Sequence, residues 1–337
     1  MDDETKVTKT EVTRKAKAAR GDDAVKEVGS PAQMKAHYSN RTGELRIKLT
    51  NDYLFKALLQ KNEGVRKALV CALLHLEESE VQSLEVTNPI ILGERVDEKD
   101  IYLDVNVRFK DGSKVDLEMQ VIDEKNWPER SLYYACQNYA HLNKGDDYDK
   151  VKPAYQIGFL DFTLFEEHPD FYSTYLLMES KRHYIYTHKF MIGVVDLNKI
   201  SLATEEDRKY RIDEWAKLFK AETWEEIKML AVENADIANA AETIFELSEN
   251  ERIRLQCEAR EDYNKRRRSM IRRLNEAKQQ LVEQDKQLKD QDKQLKDQEE
   301  LLKEKDKRLD ESARILSEKD QRIAELEAKL AAVNEKV

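Results

Sequence analysis

Asp104, Glu118 and Gln120 are the residues best placed to do chemistry, because the run from Tyr102 to Val121, YLDVNVRFKDGSKVDLEMQV, writes two strands that carry all three on one face. Leu103, Val105, Val107 and Phe109 alternate with Tyr102, Asp104, Asn106 and Arg108, and Val115, Leu117, Met119 and Val121 alternate with Asp116, Glu118 and Gln120. That period of two gives each strand an apolar and a polar face. Asp111-Gly112 signals the turn, and a three-residue loop with Gly112 in the left-handed conformation sets Phe109 opposite Ser113 and Asp104 opposite Glu118. Directly opposed side chains have Cβ atoms about 5 Å apart, where like charges destabilise. Two carboxylates about 4 Å apart repel by roughly 4 kcal/mol at an effective dielectric near 20. A divalent cation between them reverses the sign.

Hard cations such as Mg²⁺ take one or two carboxylates together with water and substrate phosphate oxygens, which is what this pair offers. Such a site can activate water and stabilise the charge that develops in phosphodiester hydrolysis. Gln120 shares the face and is placed to orient the water or a phosphate oxygen. Alternation alone equally describes the solvated polar face of an antiparallel sheet.

The run LDVNVRFKDGSKVDLEMQ resembles the PD-(D/E)XK nuclease superfamily, and within it the family of recombination-promoting nucleases and PD-(D/E)XK nuclease family transposases, whose signature is an Asp strand, a turn and a strand with Glu-x-Gln. Upstream, Asn51-Asp52-Tyr53-Leu54-Phe55-Lys56 looks like that family's opening helix. Downstream, Arg130, Tyr133, Tyr134, Gly145, Tyr148 and Pro153, followed by AYQIGFLDF, look like its helix, loop and third core strand. The resemblance covers roughly Leu49 to Lys199. It implies a restriction-endonuclease-like α/β (mixed α+β) core, Asp104 and Glu118 as ligands of Mg²⁺ or Mn²⁺, Gln120 in the place of the superfamily's catalytic Lys, Asp52 as a further acid, and DNA as substrate. One departure is that Gln120 carries no charge, so it cannot supply an ammonium's stabilisation.

Composition bounds the rest. The chain has 337 residues, 40% hydrophobic and 37% charged, enough for one folded domain of about 150 to 250 residues plus a highly charged extension. Neither an apolar run of about 18 residues nor a signal-peptide pattern is present, so a cytoplasmic location without membrane contact is expected. Cys71, Cys136 and Cys257, and the six histidines, show no metal spacing; His183 and His188 read as sheet residues. The net charge of −10 argues weakly against a phosphate-binding surface, although local charge matters more than the sum.

Four segments are expected. Residues 1–45 read as a disordered polar arm whose Arg14, Lys15, Lys17 and Arg20 could brush nucleic acid. Residues 46–200 form the core: a helix from Asp52 to His75, a strand near Leu84 to Thr87, the hairpin, a break at Trp127-Pro128, a helix from Glu129 to Leu142 with Arg130 and Tyr134 on one side, and further strands in AYQIGFLDF, YSTYLLMES and HYIYTHKFMIGVVDL. Arg130 is expected either to touch a scissile phosphate or the metal-bound carboxylates, or to hold the helix on the sheet by an ion pair. Residues 201–263 read as a helical cap.

Residues 264–337 carry Leu274, Leu281, Leu288, Leu295, Leu302, Leu309, Leu316, Ile323 and Leu330 at every seventh position, a coiled-coil seam that makes a homodimer the expected assembly, with a long single charged helix as the alternative. Its second core position is polar at Gln284, Gln291 and Gln298, which weakens association. Lys265, Arg266, Arg267 and Arg268 precede the seam, either as candidate phosphate contacts or as the start of an ion-pair-laced helix. The reading that accounts for most of this is a metal-dependent DNA endonuclease. The alternative is a catalytically inactive nucleic-acid-binding or coiled-coil scaffold protein on a nuclease fold.

Overall fold

Alternating apolar residues build a six-stranded sheet in the computed structural model, which describes residues 38–90, 92, 104–140, 142 and 144–334. Its order is β1-β2-β3-β4-β6-β5, with β1 Leu84–Val86, β2 Val105–Phe109, β3 Lys114–Gln120, β4 Ala154–Leu160, β5 Tyr172–Leu176 and β6 Phe190–Asp196. The hairpin register is as expected: Val105 pairs with Leu117 and Asn106 with Asp116, Phe109 N–H donates to Ser113 O at 2.9 Å, and Gly112 has φ +92°. Strands β3, β4 and β6 run parallel, and β5 closes the edge antiparallel. That parallel insertion overturns one sequence expectation. A strand inside a parallel ladder is covered on both faces, so the polar face of β3 is not solvated: Asp116 and Glu118 are buried.

Helix α1 (Asp52–Lys61) and helix α2 (Glu63–Leu74) replace the single helix expected from Asp52 to His75. The chain extends at Asn62, whose side chain accepts from Val65 N–H at 3.0 Å and caps α2. An Asn that bonds its own backbone competes with helix continuation. Pro128 does not interrupt a helix; it sits in the first turn of α3 (Trp127–Tyr139), where no N–H is needed.

Helices α4 (Glu205–Lys209), α5 (Ile212–Lys220), α6 (Trp224–Glu233) and α7 (Ala235–Glu249) follow. Residues of α5 to α7, within the segment read as a helical cap, join one continuous hydrophobic cluster with α1, α2 and the sheet. Phe55 of α1, Phe159 of β4 and Phe219 of α5 meet with ring centroids 5.2 to 5.7 Å apart, geometry that contributes about 0.5–1.5 kcal/mol per pair beyond burial. This triangle sets the height of α1 over the sheet, and with it the positions of Asp52 and Lys56.

The polar arm was expected to reach residue 45, yet residues 38–45 belong to the fold. Glu44 bridges Thr223, and Leu45 N–H donates to Glu222 O at 2.8 Å; backbone pairing supplies what apolar periodicity did not announce. Arg14, Lys15, Lys17 and Arg20 lie outside the described residues. The chain divides into a compact unit up to Asp262 and another from Tyr263. The last helix, α8 (Glu251–Asn334), carries the heptad positions, and Leu274, Leu288, Leu302 and Leu316 are each more than half exposed.

Gly158 lies opposite Glu118 in the β3–β4 ladder, where a methyl group would sit 2.1 Å from Trp127 Cζ2. The bare backbone lets the indole lie on the sheet and anchors the start of α3. Gly158→Ala should destabilise the protein by about 1–3 kcal/mol through overpacking. Chemical denaturation checks this, and a variant as stable as the parent would show that α3 docks without that contact.

Candidate active site

The hairpin register carries Asp104, the residue before β2, to the position beside Glu118. Asp116 and Glu118 point to the α3 side of β3 and are 1% and 3% exposed. Asp104 is partly exposed and lies outside the paired ladder. Its carbonyl accepts from Lys56 Nζ at 2.8 Å and Asn88 Nδ2 at 3.2 Å, and its Oδ2 accepts from Asn88 Nδ2 at 3.2 Å and Asn106 Nδ2 at 2.5 Å.

Glu118 accepts from Arg130 Nη2 in an ion pair almost closed to solvent. Arg130 Nη1 also reaches Gln120 Oε1 at 3.4 Å, and its guanidinium lies 6.0 Å from the Tyr134 ring. The contact to Glu118 is an ion pair between α3 and the sheet, and it is made to one of the expected carboxylate ligands, so it fits both roles weighed for Arg130. Gln120 Nε2 donates to Ile122 O at 2.9 Å, so its amide is tied back to the chain. Asp52, in the first turn of α1, accepts on Oδ2 from Arg260 Nε and Nη2, each at 2.6 Å.

Burial governs the electrostatics. Desolvation pushes Glu118 up to about 7; the Arg130 charge opposes the rise, and Asp104 and Asp52 add to it. Asp116 is raised well above the usual carboxylate range, first by desolvation and then by the Asp104 and Glu118 charges. Asp116 was overlooked in the sequence because a third acid on the same face reads as more polar surface; its parity with Glu118 was the available signal. Lys56, Asn88 and Asn106 were missed as site residues too, and for Asn88 no local pattern exists.

The donor set fits a hard cation. Asp104 and Glu118 supply carboxylates, one Asp116 oxygen has no hydrogen-bond partner, and Gln156, fully buried beside Asp116 in the ladder, makes no well-formed hydrogen bond through either amide atom. Among the described residues no three His, Cys, Asp or Glu side chains converge tightly enough to hold a metal alone, which leaves water and phosphate to complete a shell of the Mg²⁺ type. Lys265, Arg266 and Arg268 are exposed on α8 and Arg267 is half-buried; they belong to the second unit. Burial raises the thiols of Cys71 to about 11 and Cys257 to about 12, leaving them inert at neutral pH. His183 lies in a turn with φ 59°, outside the strands, as does His188.

Residues 49–277 match the sequence profile of the family described as PD-(D/E)XK nuclease family transposase. No curated protein and no solved structure matches the chain.

The raised Glu118 pKa has a defined sign. The folded chain keeps a proton that the unfolded chain releases between about pH 4.5 and 7, so this contribution to stability is full below the unfolded value and is lost as pH rises through the folded one. Between pH 8 and 5.5 the metal-free protein should regain about 2 kcal/mol from this group. Melting curves of the parent and Glu118→Gln across that range test it: the parent should gain more on acidification, and parallel curves would remove Glu118 as the titrating group.

Proposed function

Because the chain belongs to the PD-(D/E)XK nuclease family of transposases, we propose that it is a Mg²⁺- or Mn²⁺-dependent endonuclease that hydrolyses phosphodiester bonds in DNA, with Asp104 and Glu118 as the metal ligands. The observation that carries this reading is the burial of Glu118 and Asp116 beside Asp104 in the centre of the sheet. Burying like charges is costly unless a function or a counterion holds them there. When bound, the cation polarises the phosphate and lowers the pKa of a coordinated water.

The protein's own groups divide the remaining work. Arg130 balances Glu118 across a dry contact, and its planar fork would suit a phosphate oxygen of the substrate at the same place. Gln120 accepts from Arg130 and donates to Ile122 O, which makes it an orienter of Arg130 and of what Arg130 holds. Asp52, paired with Arg260, adds negative field at Glu118 and favours a bound cation. The basic residues Lys265 to Arg268 are assigned to the DNA backbone.

The exposed leucine seam of α8 supports assembly as a homodimer through a coiled coil, since a stripe of more than half-exposed leucines at heptad spacing is stable only when paired. Among the described residues no helix is long and apolar enough to cross a membrane.

Asp104→Ala and Glu118→Ala should each abolish Mg²⁺-dependent nicking of supercoiled plasmid while leaving a folded protein, and Gln120→Ala should slow it roughly 10- to 1000-fold, as for other single positioning donors. Full cleavage by either Asp104→Ala or Glu118→Ala would sink the site. A folded parent that binds DNA and does not cut under any divalent metal would favour the inactive scaffold.

Replacing Leu288 and Leu295 together by Lys should shift the protein to monomer in sedimentation without changing the nicking rate per chain. Retention of the parent's mass would dissociate the seam from assembly.

A further inference from the structure

Asp104 is singular among the acids of the site because secondary structure does not hold it. Asp116 is paired on both sides of β3, with Asn106 and Gln156, and Glu118 lies within β3 and is paired with Gly158 of β4. β2 begins only at Val105, and β1 ends at Val86, so Asp104 has no paired neighbour in either direction. A carboxylate there would sample several positions, and a ligand that must be ordered on binding loses affinity.

Two side chains from other elements take over the task. Asn88, just beyond β1, accepts from Asn106 N–H on its Oδ1 at 2.9 Å and donates from Nδ2 to Asp104 O at 3.2 Å. Its amide thereby spans residues 104 and 106 as a peptide of a neighbouring strand would, and it extends the sheet by one step where the backbone of β1 has turned away. The same Nδ2 reaches Asp104 Oδ2, which also accepts from Asn106. From the other side Lys56, 3% exposed on α1, donates from its ammonium to the same carbonyl at 2.8 Å. A buried ammonium is costly, and its charge-assisted bond is roughly twice as strong as a neutral one.

We infer that Lys56 and Asn88 are positioning residues that clamp the Asp104 backbone so that its carboxylate is set for a divalent cation before the cation arrives. This rests on the reading of Asp104 as a metal ligand. Neither residue needs to touch metal or DNA. The clamp places one hydrogen-bond donor from α1 and one from the end of β1 on a single carbonyl, which makes the ligand's position depend on how the opening helix docks on the sheet.

The test is Mn²⁺ binding to the full-length protein without DNA, read by electron paramagnetic resonance, together with the melting temperature of the metal-free protein. Lys56→Met keeps the length of the side chain and removes the charge. Asn88→Ala changes a half-buried residue on a different element, so the inference does not hang on one variant folding. Each should bind Mn²⁺ about 10- to 100-fold more weakly, the range for residues that support a ligand, with a melting temperature at or near the parent's and faster amide exchange at Asn106. Asp104→Ala is the control for the site. If it weakens Mn²⁺ binding while Lys56→Met and Asn88→Ala bind within twofold of the parent, the clamp is wrong and the metal site stands. If Asp104→Ala binds as the parent does, the metal-site reading is what fails, and the clamp with it. Loss of melting temperature without loss of Mn²⁺ affinity would mark Lys56 and Asn88 as structural only, and would overturn the inference.

Discussion

The buried ion pair between Arg130 and Glu118 is the contact on which the site and its surroundings depend. Glu118 sits on the central strand under α3, where water cannot stabilise its charge, and Asp104, Asp116 and Asp52 add negative potential. The Arg130 guanidinium answers Glu118, as that of Arg260 answers Asp52. Arg130 arrives on α3, which begins with Trp127, whose ring packs against the bare backbone of Gly158. The apolar packing that docks α3 therefore places the charge that makes the buried acid tolerable, and small changes in one are felt in the other.

The opposite side of the sheet does different work. The aromatic triangle of Phe55, Phe159 and Phe219 and the surrounding aliphatic cluster supply cohesion and fix α1, and α1 carries the two polar groups that reach the site, Asp52 and Lys56. Stability and chemistry are thus separated by the sheet and joined at the ends of its strands and helix. The pull toward protonation at Asp116 and Glu118 shows which side carries the strain: the site's face is held by what surrounds it, against its own electrostatics, and a divalent cation would relieve both.

The second unit follows simpler rules. Its leucines recur every seven residues and lie on the surface of a single helix, and its balanced charges form i, i+4 pairs such as Lys289 with Asp285 and Arg308 with Glu304. Such pairs contribute only a few tenths of a kcal/mol each, so the helix draws little from them.

The hairpin, its turn and its register were legible in the sequence, because alternation and a left-handed Gly112 are local properties and a one-residue slip would turn every side chain over. From them Asp104 and Glu118 fell beside each other without any tertiary information, and the heptads of the tail were equally plain. The burial of the polar face was not legible, since it depends on β4 entering parallel beside β3 and on α3 covering the result; an Asp and a Glu at the same spacing on an edge strand would have been solvent-facing. Nor could the sequence show that Arg130 would pair with Glu118, that Asn62 would break the first helix in two, or that Asn88 and Lys56 would meet at one carbonyl from positions 32 residues apart in the chain. Those contacts join elements distant in sequence, and only packing decides which of the many possible pairs is made.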